Sequence, residues 1–252
     1  MKGFVLPPLM TSKQMMVGGT DAFNELFGNE YEFIPLNYEV DNSDFRPSQI
    51  INKFAADVQA KIENELEDDE DYFIVPISMG YSVLNLLRDL KRDPKFIMAI
   101  SPFLGKESIN VPKERLNKIT GALKLITSLK MEKAFWRPSV VKHFSGDRED
   151  YLQHVIDIFH PSIAISSFFN CISIKNEEFT RKEIPHLVIM NKEDNIINYN
   201  FVERWIKENV EDHHIINTNM PHSPKKLEKE YFYEGFSTIS DDIYEWFKKQ
   251  ND

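Results

Sequence analysis

Three residues of this 252-residue chain have the types and surroundings that nucleophilic catalysis needs. Ser78 follows the apolar run Tyr72–Ile77 and precedes Gly80 and a stretch with Val83, Leu84, Leu86, Leu87 and Leu90 at helical spacing, so a strand turns sharply into a helix. A serine at such a turn stands above the sheet edge, and the helix start favours negative charge developing beside it. Small residues two before and two after let the turn close. Gly80 is the second, while Pro76 stands where the G-x-S-x-G pattern has its first glycine. Asp194 follows the apolar run His186–Met190, and His222 lies in a proline-bounded loop 28 residues further on. A hydroxyl is a poor nucleophile until an imidazole accepts its proton. The imidazole in turn acts well when a carboxylate fixes its tautomer and stabilises its charged form. Serine, acid and histidine occur here in that order, each after its own strand.

Each of these types has rivals. Ser82 would be the nucleophile only if the strand ran on through Gly80. Glu193 adjoins Asp194, so a register shift of one residue would exchange them. His143, His160, His186, His213 and His214 lack the position after the last strand and read as surface or packing residues. Singly, Ser78 also fits a plain turn residue, Asp194 a helix cap and His222 a loop histidine. Gly18 and Gly19 lack the spacing of a phosphate loop or a dinucleotide fingerprint and read as a turn.

The elements that must position these residues alternate between short apolar strands and amphipathic helices, the pattern of a parallel sheet wrapped by helices. Strands are expected at Gly3–Leu6, Glu32–Leu36, Tyr72–Ile77, Lys95–Ile100, His186–Met190 and His214–Asn217. Several are apolar throughout, as strands covered on both faces are. Ile50, Ile51, Phe54, Val58, Ile62 and Leu66 mark one helix, opened by Pro47 and Ser48 and closed by the acidic run Glu67–Asp71, a solvated helix end. Phe201, Val202, Trp205 and Ile206 mark another, capped near Asn198, and Phe236, Ile239, Ile243, Trp246 and Phe247 the last. Residues 101–184 are too long for one crossover and contain helical patterns of their own, the first through Leu116, Ile119, Leu123, Ile126 and Leu129. They read as an insertion.

The net charge of −10 argues against a protein that coats nucleic-acid phosphate. The single cysteine, Cys171, rules out an intrachain disulfide, a CxxC pair and a cysteine zinc cage. The first ten residues lack the apolar core of a secretory signal, and no run approaches a membrane span. A cytoplasmic protein without stable membrane insertion is expected.

With the strand context, Ser78, Gly80, Asp194 and His222 together make the chain resemble the α/β-hydrolase family over nearly its whole length. It looks like a compact member that begins at the third family strand and carries a helical cap before the acid strand. The resemblance implies a core at residues 1–103 and 180–252, with the cap at 104–179. It also implies Ser78 as nucleophile, Asp194 as acid and His222 as base. The oxyanion hole would take the amides of Met79 and, from the loop after the first strand, Leu9. That loop commonly reads His-Gly-x, whereas here it reads Pro7, Pro8, Leu9, and neither proline is the expected donor. The implied activity is hydrolysis of a small carboxylic ester or thioester through an acyl-enzyme, with no metal or organic cofactor and no nucleic-acid partner. Carbon–carbon cleavage occurs on the same scaffold. The proline departures leave open a non-catalytic binding protein. Aromatic residues of the insertion, including Trp136, Phe168 and Phe169, fit either an acyl pocket or ordinary core.

Residues 105–146 carry nine basic against three acidic side chains, a net +6 in a chain of −10. A cap so charged would favour anionic substrates. The usual behaviour of helix charges favours the plainer reading, that the lysines do no more than solvate the outer face of a helix.

Overall fold

Alternation along each strand sends side chains to opposite faces of one sheet, which makes two cores. The computed structural model describes residues 1–8, 11, 13–38, 50–88, 90–131, 134, 161–174 and 181–251. Its strands are β1 (Lys2–Leu6), β2 (Glu32–Pro35), β3 (Tyr72–Pro76), β4 (Ile97–Ile100), β5 (His186–Met190) and β6 (His213–Asn217). All pair in parallel, in the order β2-β1-β3-β4-β5-β6. Each lies within two residues of its expected span. The order reverses between β1 and β3, so the loops leaving these two strands diverge at their carboxyl ends, where open α/β sheets hold their sites.

The described helices are α1 (Lys13–Phe27), α2 (Ile50–Glu65), α3 (Gly80–Leu84), α4 (Lys113–Ser128), α5 (Pro161–Ser173), α6 (Tyr199–Asn209), α7 (Lys229–Ser237) and α8 (Ser240–Asn251). Phe4, Leu6, Tyr72, Ile74, Ile97, Ala99, Val188 and Met190 form one core with α2, α3 and α6. Val5, Phe33, Phe73, Val75, Phe96, Met98, Leu187 and Ile189 form the other with α1, α7 and α8. At the centre of the second core, Phe247 meets the rings of Phe27, Tyr31, Phe73 and Phe96. Both faces of the central strands are thus buried, which is why β3 and β4 are apolar at every position.

Three local expectations need correction. Gly18 and Gly19 form no turn; they lie inside α1. A Cβ at Gly18 would come within 1.9 Å of the Leu227 carbonyl oxygen, so this glycine lets α1 lie against the chain entering α7. The helix after β3 is only five residues long rather than reaching Leu90. Beyond Leu84 the chain tightens, with the Leu86 and Leu87 amides bonded to the Val83 and Leu84 carbonyls, and Arg181 takes the Leu87 carbonyl at 2.5 Å. The last helix is two, α7 and α8. Between them Ser237, Thr238 and Ser240 turn their hydroxyls onto carbonyls three residues back, and Asp241 and Asp242 begin a new N-terminus.

Pro76 sits in a central strand, where proline is ordinarily excluded. The Ile74 amide bonds Phe96 and the Ser78 amide bonds Ile100, so the amide that proline lacks is the one between them facing β4. Ile74 faces Ile97 and Ile77 faces Ile100, an unchanged register. One ladder bond is missing, and the strand still delivers Ser78 to the sheet edge.

Candidate active site

Ser78 has φ 50°, a left-handed conformation that few non-glycine residues adopt. The turn around it imposes this value. The Ser78 amide is held by the Ile100 carbonyl at 2.9 Å, and its own carbonyl accepts from the amides of Tyr81 (3.0 Å) and Phe103 (3.1 Å). The Gly80 amide closes onto Ile77 at 2.8 Å. A Cβ at Gly80 would lie 2.6 Å from the Leu6 oxygen and 3.0 Å from that of Pro7, so only glycine lets the turn rest on the loop leaving β1. Tyr38 fixes that loop by donating its hydroxyl to the Pro7 carbonyl at 2.6 Å. Strain held by this many contacts is common where a reactive group must be presented.

Asp194 and His222 arrive from the ends of β5 and β6. Their loops are joined, since Asn191 Nδ2 donates to the Met220 carbonyl at 3.1 Å and the Lys192 amide donates to Asn217 Oδ1 at 3.1 Å. The Asp194 carboxylate is buried, and its Oδ1 accepts the amides of Ile196 (2.7 Å) and Ile197 (2.9 Å), a side-chain-closed turn. Its Oδ2 lies 2.9 Å from His222 Nδ1, and His222 Nε2 lies 3.0 Å from Ser78 Oγ. Burial pushes the Asp194 carboxyl up. The hydrogen bond and charge of His222, with the amides of Ile197 and Ile196, more than reverse this and hold it below the usual range. An ionised carboxylate only accepts, so Nδ1 carries the ring proton and donates to Asp194. Nε2 is left as the acceptor for the Ser78 hydroxyl.

The three side chains singled out in the sequence therefore meet, and their rivals lie elsewhere. Ser82 is fully buried on α3, with its hydroxyl toward the Phe103 carbonyl. Glu193 is exposed. His186 is fully buried; its Nδ1 donates to the Ile184 carbonyl at 2.7 Å, which leaves Nε2 to accept from the Tyr81 hydroxyl at 2.8 Å. His213 Nδ1 donates to the Val210 carbonyl, and His214 is exposed. His143, His160, Trp136 and Leu9 lie outside the described residues. Met79 opens α3, and among the described residues its amide meets no acceptor. Among the described residues no group of three or more His, Cys, Asp or Glu side chains could hold a metal ion.

Sequence reasoning missed Ser101 and Asn110. Ser101, just after β4, shares the left-handed conformation of Ser78, with φ 44°, and no residue type marks that. Asn110 donates Nδ2 to the Asp194 carbonyl at 2.8 Å across 84 residues of sequence. No local pattern could have flagged so distant a contact.

No protein-family model matches the chain, and no curated protein matches it. Solved structures do. A hydrolase from Oleispira antarctica, olei00960, matches with a TM-score of 0.70 at 12% identity over 98% of this chain and 90% of its own. The esterase EaEST from Exiguobacterium antarcticum gives 0.64 at 15% identity over 98% and 91%. The peroxisomal alpha-beta-hydrolase Lpx1 from Saccharomyces cerevisiae gives 0.62 at 12% over 98% and 78%. Likeness at these identities is a statement about fold.

Proposed function

We propose that this chain, which has the α/β-hydrolase fold, is a serine hydrolase that cleaves a carboxylic ester or thioester of a small molecule. The observation that carries the reading is the continuous path from Ser78 Oγ to His222 Nε2 at 3.0 Å and from His222 Nδ1 to Asp194 Oδ2 at 2.9 Å. Ser78 Oγ attacks the acyl carbon while its proton passes to His222 Nε2. The oxyanion forms against the Met79 amide, with Leu9 as the second donor, and each such donor contributes about 3 to 4 kcal/mol to the transition state. The intermediate collapses to an acyl-Ser78 ester as the alcohol or thiol departs with the proton from His222. Water then attacks the acyl-enzyme, His222 takes its proton and returns it to Ser78 Oγ, and the carboxylic acid is released.

A cap at residues 104–179, as the sequence leads one to expect, would in this reading restrict the pocket to short or medium acyl chains. A panel of aryl esters of rising chain length, run beside acyl thioesters, tests both points. Turnover of a short or medium member that is absent from Ser78→Ala is the expected result. Equal turnover by the Ser78→Ala variant, or none by the wild type on any member, overturns the reading.

A further inference from the structure

The segment leaving β4 touches both the nucleophile turn and the acid turn before it reaches α4. Near its start the Phe103 amide donates to the Ser78 carbonyl at 3.1 Å. Buried Ser108 then folds the segment back, its hydroxyl accepting the Leu104 amide at 2.9 Å and donating to the Gly105 carbonyl at 2.7 Å. From there the chain runs antiparallel to the acid turn. Ile109 bridges Ile197, the Asn198 amide donates to the Ser108 carbonyl at 2.7 Å, and the Asn110 amide donates to the Ile196 carbonyl at 2.7 Å. Asn110 adds its side chain, with Nδ2 donating to the Asp194 carbonyl at 2.8 Å. One residue thereby grips the Asp194 turn at both ends, from Asp194 itself to Ile196.

We propose that Asn110 is a positioning residue that holds the Asp194 turn in the register at which Oδ2 meets His222. Asp194 sits on a loop, and a reactive arrangement must be held to within about half an ångström by surrounding hydrogen bonds. Within its own turn the carboxylate is anchored only through Oδ1, by Ile196 and Ile197. The Asn191 carbonyl accepts the Asp194 amide inside the loop, the Asn191 and Lys192 contacts tie the start of the loop to the end of β6, and Asn110 ties the Asp194 carbonyl to the segment leaving β4. Without Nδ2 the Asp194 carbonyl is free to turn toward water, carrying Oδ2 away from His222 Nδ1. The effect on rate rests on the hydrolase reading, whereas the effect on the Asp194–His222 contact does not.

The test uses the full chain with Asn110→Ala and the near-isosteric Asn110→Asp, both of which keep the backbone bond to Ile196. Asn110 is exposed, so neither change opens a core cavity, and a thermal melt verifies folding. The first measurement is the low-field proton resonance of the His222 Nδ1–H, assigned by its loss in Asp194→Asn. The second is the rate of fluorophosphonate labelling across pH. Both variants are expected to shift or broaden the resonance. Asn110→Ala is expected to slow labelling about fivefold, the rate equivalent of one ordinary hydrogen bond. A residue that only stabilised the fold would lower the melting temperature and leave the resonance of the folded protein where it was; that result overturns the assignment. A displaced resonance in a protein whose wild type takes no label would retain Asn110 as a positioning residue and overturn the hydrolase reading instead.

Discussion

Asp194 carries a division of labour between its two oxygens, and substitutions separate them. In Asp194→Asn the side-chain oxygen can still accept the amides of Ile196 and Ile197, but the amide nitrogen would face His222 Nδ1. The ring must then present an unprotonated Nδ1, which puts the proton on Nε2 and leaves the Ser78 hydroxyl without an acceptor. Turnover should fall about 10³- to 10⁴-fold, with a melting temperature close to wild type. Glu193→Gln should leave both unchanged, and the opposite pattern would move the acid one residue earlier. Because its pKa is depressed, Asp194 stays ionised down to pH values below the ordinary carboxylate range. A pH–rate profile should therefore show no loss of activity from protonation of this carboxylate until pH falls below that range. Gly80→Ala drives a Cβ against two backbone carbonyls, a cost of about 2 to 3 kcal/mol that urea denaturation can read. At this scale Ser78, Asp194 and His222 were legible because type, order and strand context all agreed. Asn110 was not, since an asparagine in a loop has no signature of the carbonyl it will reach.

The central strands were legible as elements for a physical reason, because residues buried on both faces of a sheet leave no polar position to blur the run. Helices were read less well wherever a tertiary contact, rather than periodicity, set the boundary. α3 stops at Leu84 although apolar residues continue to Leu90, and α1 contains two glycines that alone suggest a turn. Gly18 and Gly121 make a paired test of this distinction. Alanine favours a helix over glycine by about 1 kcal/mol, and nothing lies within 4 Å of the Cβ that Gly121→Ala would add to α4. That substitution should stabilise the helix locally, read as slower amide exchange through α4. In Gly18→Ala the same propensity gain is outweighed, because the Leu227 carbonyl blocks the Cβ and α1 must separate from α7. The variant should lose about 1 to 3 kcal/mol in urea denaturation. Stabilisation of both variants would contradict the close approach of α1 to the chain at Leu227.

For the molecule as a whole, His186 sets part of the response to acid. Burial lowers its pKa from 6.5 to about 4, so the folded protein keeps it neutral while the unfolded chain binds a proton at 6.5. Its stabilising contribution is therefore intact above pH 6.5 and falls as pH drops toward 4, by about 3 kcal/mol. Urea midpoints measured between pH 7 and pH 4 should show that slope, and His186→Gln should flatten it. The basic side chains Lys113, Arg115, Lys118, Lys124 and Lys130 are all exposed on or beside α4. If their field steers substrate, kcat/KM for an anionic thioester should fall with added salt while that for a neutral ester holds, since screening acts within about 8 Å at physiological ionic strength. An equal response of the two substrates, or no loss on changing Lys118, Lys124 and Lys130 to Gln, would leave these lysines as solvated surface. The central claim is that Ser78 is an activated nucleophile, and covalent capture tests it most directly. A fluorophosphonate probe followed by mass mapping of the labelled peptide should place one adduct on Ser78 in the wild type. Ser78→Ala should take no label, and His222→Ala should take it far more slowly. An unlabelled wild type, or an adduct that persists in Ser78→Ala, would contradict the account.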